Sequence, residues 1–176
     1  TVNFYSSYIL CHSLKKIYNN FGINFSLKWP NDILANKKKL AGFLLDVKDL
    51  KKEKKKFTIG IGINVNETFF QEDLSDKATS LMKETGIESR LDGILISFIK
   101  NFYSNISLIS TKADLMKKWK SNTDIIGKTI SFKQRDDEQE KEASVIDIDL
   151  DGGLRVKTRE DKILKFYSGE INILYE

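Results

Sequence analysis

The chain has 176 residues, 29 basic and 25 acidic, for a net charge of +4; hydrophobic residues make up 40% and charged residues 31%. That is the composition of a folded chain of one domain, or one domain with a small appendage, and it excludes a disordered or low-complexity one. One cysteine, Cys11, and one histidine, His12, exclude an internal disulfide and argue against a histidine-based metal site or a Cys/His catalytic pair.

Residues 6–20 carry Ile9, Leu10, Leu14 and Ile17 at helical spacing, with Ser6 or Ser7 as the cap and Asn19, Asn20 and Gly22 as the stop. Cys11 falls in that pattern as a small buried hydrophobe. Ile23, Phe25 and Leu27 alternate as a strand that Pro30 ends. Ile33 and Leu34 begin a second strand, and Asn36-Lys37-Lys38 makes a hairpin turn. Residues 39–48 form a longer apolar strand. Residues 57–66 read as a central strand whose glycines mark close approach of a ligand or another backbone.

The segment between these two strands, Lys48 to Lys56, holds six lysines with Asp49 and Glu53 among them. No aromatic residue is interleaved, so it reads as a solvated hairpin loop rather than a nucleic-acid surface. Leu74 to Leu81 reads as a connecting loop with caps at Ser75 and Asp76. Residues 89–109 and 111–121, the second with a Thr111 cap, read as two amphipathic helices. From residue 125 only short alternating strands follow, GKTISFKQ, EASVIDIDL, GLRVKT, ILKFYS and INIL, with a hairpin turn at Asp151-Gly152-Gly153. Five such strands predict a small antiparallel barrel, with a boundary between domains 1–124 and 125–176. No apolar run approaches a membrane span and no signal-peptide pattern is present, so a cytoplasmic location without membrane contact is expected.

Three segments carry the chemistry: KWPND at 28–32, KLAG at 39–42 and GIGINVN at 60–66. GIGINVN is not a dinucleotide fingerprint, because no third glycine opens a helix. Gly42 and Leu44 share one strand face, as do Gly60 and Gly62. In this order the three motifs resemble the central block of the biotin–protein ligase family. The C-terminal strands, with SGEI near residue 170, resemble that family's SH3-like domain. Lipoate ligases share the fold without the WPND and GIGIN signatures.

The resemblance implies an α+β fold: a mixed or antiparallel sheet with flanking helices, like class II synthetases, plus the small barrel. It implies an ATP-dependent ligase that forms biotinyl-5′-adenylate and transfers biotin to a lysine of a biotin carboxyl carrier domain. Substrates would be ATP and biotin, with Mg²⁺. Lys39 would be the catalytic lysine and would also contact biotin, whose pocket Gly42, Leu44, Gly60 and Gly62 would line. Asn64, Lys28, Trp29 and Asn31 would face the adenylate. Asp32 has three readings: a Mg²⁺ ligand, a group that orients or deprotonates the acceptor amine, or a turn cap. Trp29 reads as a wall or packing residue, and Lys28 as a phosphate partner or an exposed lysine.

The family also carries a GRGRxGR loop upstream of this block, absent from these residues; the four arginines here, Arg90, Arg135, Arg155 and Arg159, lie elsewhere. The 176-residue polypeptide alone is therefore expected to be inactive or weak. The alternative is a non-catalytic module of the same fold that docks a carrier domain. No helix-turn-helix precedes the block, so no DNA partner is expected, and the chain would be a monomer or a homodimer.

Overall fold

In the computed structural model residues 1–50, 54–132, 140–168 and 171–174 are described, Asn172 by its backbone alone, and these described residues form two antiparallel sheets and four α-helices. Lys51, Lys52 and Glu53 of the lysine run, Arg135, and Gly169 and Glu170 of SGEI lie outside the described residues.

Helix α1 (Val2–Ile17) buries Tyr5, Ile9, Leu10, Cys11 and Leu14. It begins four residues before the expected cap. Ser6 and Ser7 sit inside it, and their hydroxyls donate to the carbonyls of Val2 and Phe4. Four strands follow: β1 (Phe25–Lys28), β2 (Asp32–Ala35), β3 (Lys38–Asp49) and β4 (Lys55–Ile63), in spatial order β1-β2-β3-β4. Strand β4, which its β-branched residues mark as central, comes last in this sheet among the described residues, and none of its residues is buried. Its composition reports β propensity, which does not distinguish an edge from a centre.

Helix α2 (Leu81–Thr85) was not legible in the sequence. Ser80 caps it by accepting a bond from the Lys83 N–H, whereas Ser75 donates to the Glu72 carbonyl within its turn. The expected helix 89–109 divides into α3 (Leu91–Ser104) and a 3₁₀ turn, Ile106–Ile109. Helix α4 (Lys112–Lys120) follows, with no side-chain hydrogen bond from Thr111 at its start. The second sheet holds β5 (Thr129–Phe132), β6 (Lys141–Ile148), β7 (Leu154–Thr158), β8 (Ile163–Phe166) and β9 (Ile171–Ile173), in order β8-β7-β6-β5-β9.

One apolar cluster runs through both sheets, from Tyr5, Ile9 and Ile33 to Trp119, Ile130, Val145 and Val156. Phe4 meets Trp119 edge to face at 5.0 Å. Polar ties cross the same seam: the Thr123 hydroxyl donates to the Leu27 carbonyl, and Lys120 pairs with Asp147 at 2.6 Å. Apolar packing and these polar ties thereby hold the two sheets together.

Candidate active site

Strand alternation alone sets Lys39, Ala41 and Phe43 on one face of β3. Ala41 and Phe43 do face the core. Lys39 does not, because the register slips: Ile33 pairs with Ala41, but Leu34 pairs with Lys39. Leu40 is the extra residue of a β-bulge, and a bulge re-aims the side chains beyond it. Lys39 therefore shares a face with Asp32 and Gly42, and its Nζ lies 2.9 Å from Asp32 Oδ1.

Pairing carries that face across the sheet. Lys28 opposes Asp32, Asp32 opposes Gly42, and Gly42 opposes Gly62; in the next row Leu44 opposes Gly60. A Cβ on Gly42 would sit 3.2 Å from Asp32 Oδ1 and 3.4 Å from Lys39 Cε, so glycine makes room for the ion pair itself. A Cβ on Gly62 would meet nothing within 4 Å, so its face opens into space.

That space is an open cleft of about 900 Å³. Lys28, Trp29, Asn31, Asp32, Lys39, Gly42, Leu44, Gly60 and Gly62 all line it. Four lysines (Lys28, Lys37, Lys39 and Lys77) face two carboxylates (Asp32 and Asp76), which favours an anionic ligand. Asn64 is not among the lining residues. Its amide donates to the Thr79 carbonyl at 3.0 Å and its backbone N–H to the Leu40 carbonyl at 2.9 Å, so it braces the bulge from behind. Trp29 borders the cleft but is itself only 1% exposed, and its indole N–H donates to the Gly152 carbonyl. Asn31 Nδ2 donates to the Phe43 carbonyl at 2.6 Å, so that amide serves the strand beside it.

Local sequence did not point to the rest of the wall. The Lys39 N–H donates to the Lys77 carbonyl and the Thr79 N–H to the Lys39 carbonyl, a short parallel bridge that holds the Lys39 backbone. Leu74, Asp76 and Lys77 line the cleft beside it, and Ile171 and Ile173 of β9 close it from the second sheet. The INI alternation announced a strand but not what it faces.

The side chains of the cleft form no all-protein cage for Mg²⁺, an ion that one or two carboxylates hold together with substrate phosphates. Among the described residues no three His, Cys, Asp or Glu side chains gather, and Asp32 already faces an ammonium. No helix is long and apolar enough to cross a membrane among those residues. Cys11 and His12 stand outside the cleft. Burial pushes the Cys11 thiol up to about 11, against a smaller opposing effect of Lys15. Burial, with Lys16, Lys118 and Lys15 nearby, lowers His12.

Comparison with known proteins gives the family. The profile of the biotin/lipoate A/B protein ligase family matches residues 1–66, and that of the biotin protein ligase C-terminal domain matches residues 125–174. The bifunctional ligase/repressor BirA of Bacillus spizizenii is 33% identical over 158 residues, covering 86% of this chain and 47% of its own. The chain thus spans about half the length of that relative. The apo biotin protein ligase of Aquifex aeolicus aligns with 99% of this chain and 74% of its own, at 27% identity and a TM-score of 0.78. The same enzyme in complex with biotin and ATP aligns at a TM-score of 0.76, with 27% identity and coverage of 99% and 71%. With both profiles in their expected order and the KWPND, KLAG and GIGIN strands converging on one cleft, the chain belongs to the biotin protein ligase family.

Proposed function

We propose that this chain forms the central and C-terminal part of an ATP-dependent biotin ligase. The observation that carries the reading is the Lys39–Asp32 pair standing over a glycine-floored cleft. In the first step the biotin carboxylate oxygen attacks the α-phosphorus of ATP. The bond to the β-phosphate breaks and pyrophosphate leaves with its electron pair. Carboxylate and phosphate repel, and Lys39 supplies fixed positive charge where they meet. In the second step a carrier-domain lysine amine attacks the acyl carbon, loses a proton, and AMP leaves.

The roles divide by position. Gly42, Gly60 and Gly62 present bare backbone to biotin, and Leu44, 75% exposed, supplies an apolar wall. Lys28 lies in the Asp32–Gly42–Gly62 row, within the cleft, and the reading assigns it to the adenylate with Asn31. Asp32 holds Lys39 in place, and the reading assigns it to orient or deprotonate the incoming amine. ATP brings the phosphate oxygens that Mg²⁺ prefers, so no step here runs through a metal held by the protein. Asn64 and Trp29 act by bracing the bulge and the turn. Residues 1–124 and 125–176 form the two domains, the second adding Ile171 and Ile173 to the cleft wall.

The acceptor is a biotin carboxyl carrier domain, and the ligase works in the cytoplasm as a monomer or homodimer. The 176 residues in isolation turn over weakly, since the cations lining the cleft among the described residues are all lysines. Arginine clamps phosphate bidentately, and each missing charge-assisted bond costs about 1.5–3 kcal/mol.

Calorimetry with a non-hydrolysable biotinyl-adenylate analogue tests the reading. Lys39→Ala is expected to weaken binding about 10- to 150-fold, the equivalent of one such bond. No binding by the native chain, with a carrier domain still bound, would instead favour a docking module without chemistry.

A further inference from the structure

We infer that Trp29 is a positioning residue that ties the Asp151–Gly153 turn of the second sheet to the Lys39–Asp32 pair. The inference rests on reading that pair as the reacting centre. Residues 29–31 form a short turn between β1 and β2, and three elements pin it. Asn3 Nδ2 of α1 donates to the Pro30 carbonyl at 3.1 Å. Asn31 exchanges backbone and amide bonds with Phe43 of β3. Trp29 Nε1 donates to the Gly152 carbonyl at 2.9 Å, across 123 residues of sequence.

The acceptor end is built to hold still. Gly152 has φ +89°, a conformation glycine adopts readily. A Cβ there would lie 2.7 Å from the Phe4 ring, so the turn is seated against α1 as well. The Asp151 carboxylate accepts the Gly153 N–H at 3.0 Å, the Lys165 ammonium at 2.8 Å and the Tyr167 hydroxyl at 2.9 Å. Asp149 closes the turn through reciprocal backbone bonds with Gly152 and Gly153. The carbonyl that receives Trp29 is thus fixed from both sides.

Three residues after Trp29, Asp32 reaches Lys39 at 2.9 Å. With the indole anchored, the carboxylate keeps its place over Gly42. With it released, Asp32 shifts and Lys39 loses its partner. A packing role alone would leave the pair untouched.

The test reads Lys39 directly in the purified 176-residue chain. Limited acetylation with acetic anhydride, followed by mass spectrometry, gives the rate at Lys39 relative to exposed Lys100. Asp32→Asn sets the scale by freeing the amine. Trp29→Phe keeps a ring and removes the N–H; it is expected to raise the Lys39 ratio at least twofold, in the Asp32→Asn direction. Asp151→Ala loosens the turn from an exposed position and is expected to raise it by a smaller factor. If Trp29→Phe does not fold, Asp151→Ala decides alone. A native ratio in both variants overturns the inference, as does a native ratio in Asp32→Asn. Failure of the ligase reading registers separately, as absent binding of the adenylate analogue to the native chain.

Discussion

Lys39 and Asp32 meet at 2.9 Å only because Leu40 is an unpaired bulge residue. Without it, Lys39 would point with Ala41 and Phe43 into the core, where an ammonium is costly. The bulge turns one residue of a strand into a cation facing the cleft. The Lys39 side chain remains 53% exposed, which limits what the pair contributes to folding. Asp32→Asn is therefore expected to lower stability by no more than about 1 kcal/mol. Urea denaturation measures it, and a loss of several kcal/mol would mean that Asp32 mainly supports the fold.

Two glycines of the same row should respond differently. Gly42→Ala brings a methyl to 3.2 Å from Asp32 Oδ1 and 3.4 Å from Lys39 Cε, so the pair must move. Gly62→Ala meets nothing, so the fold tolerates it and the methyl enters the cleft. The expected outcome is a near-native melting temperature for Gly62→Ala, with at least tenfold weaker binding of the adenylate analogue. Unchanged binding in Gly62→Ala would remove this glycine from the ligand's floor.

How much of this was written in the sequence depends on range. The elements follow from local periodicity, and the motifs that line the cleft all stand within residues 28–66. The bulge does not, since Leu40 looks like any apolar residue of an apolar strand. Nor does the last place of β4 among the described strands of its sheet: Phe57, Ile59, Ile61 and Ile63 have the same β propensity at an edge or a centre. The motif marks Asn64 as a ligand contact but does not announce that its amide donates to the carbonyl of Thr79, fifteen residues on. The Trp29–Gly152 bond spans 123 residues, and no local signal encodes such a pairing. What was missed is contact between segments distant in the chain.

Cys11 offers a check on the core beneath the cleft. It is fully buried on α1, and burial pushes its thiol up to about 11. The thiolate is the reactive species, so both access and ionisation protect it. At pH 8 the native chain is expected to react with an aromatic disulfide reagent at least a hundredfold more slowly than the same chain in urea. Fast native labelling would show that α1 opens easily, and with it the seat of Phe4 under the Asp151–Gly153 turn.

Asp151 gives that turn a defined acid sensitivity. The Lys165 ammonium first, then the Gly153 N–H and the Tyr167 hydroxyl, hold its carboxyl down to about 2. An unfolded aspartate titrates near ~3.9. The native state therefore favours the ionised form, and the stabilisation is complete above about pH 5. It is lost as pH falls from there through about 2, because both states then carry the proton. Asp151→Asn removes that contribution at every pH. Melting temperatures of the two chains should differ at pH 6 and converge towards pH 2. A gap that stays constant across that range would show that Asp151 stabilises the turn through its shape and not its charge.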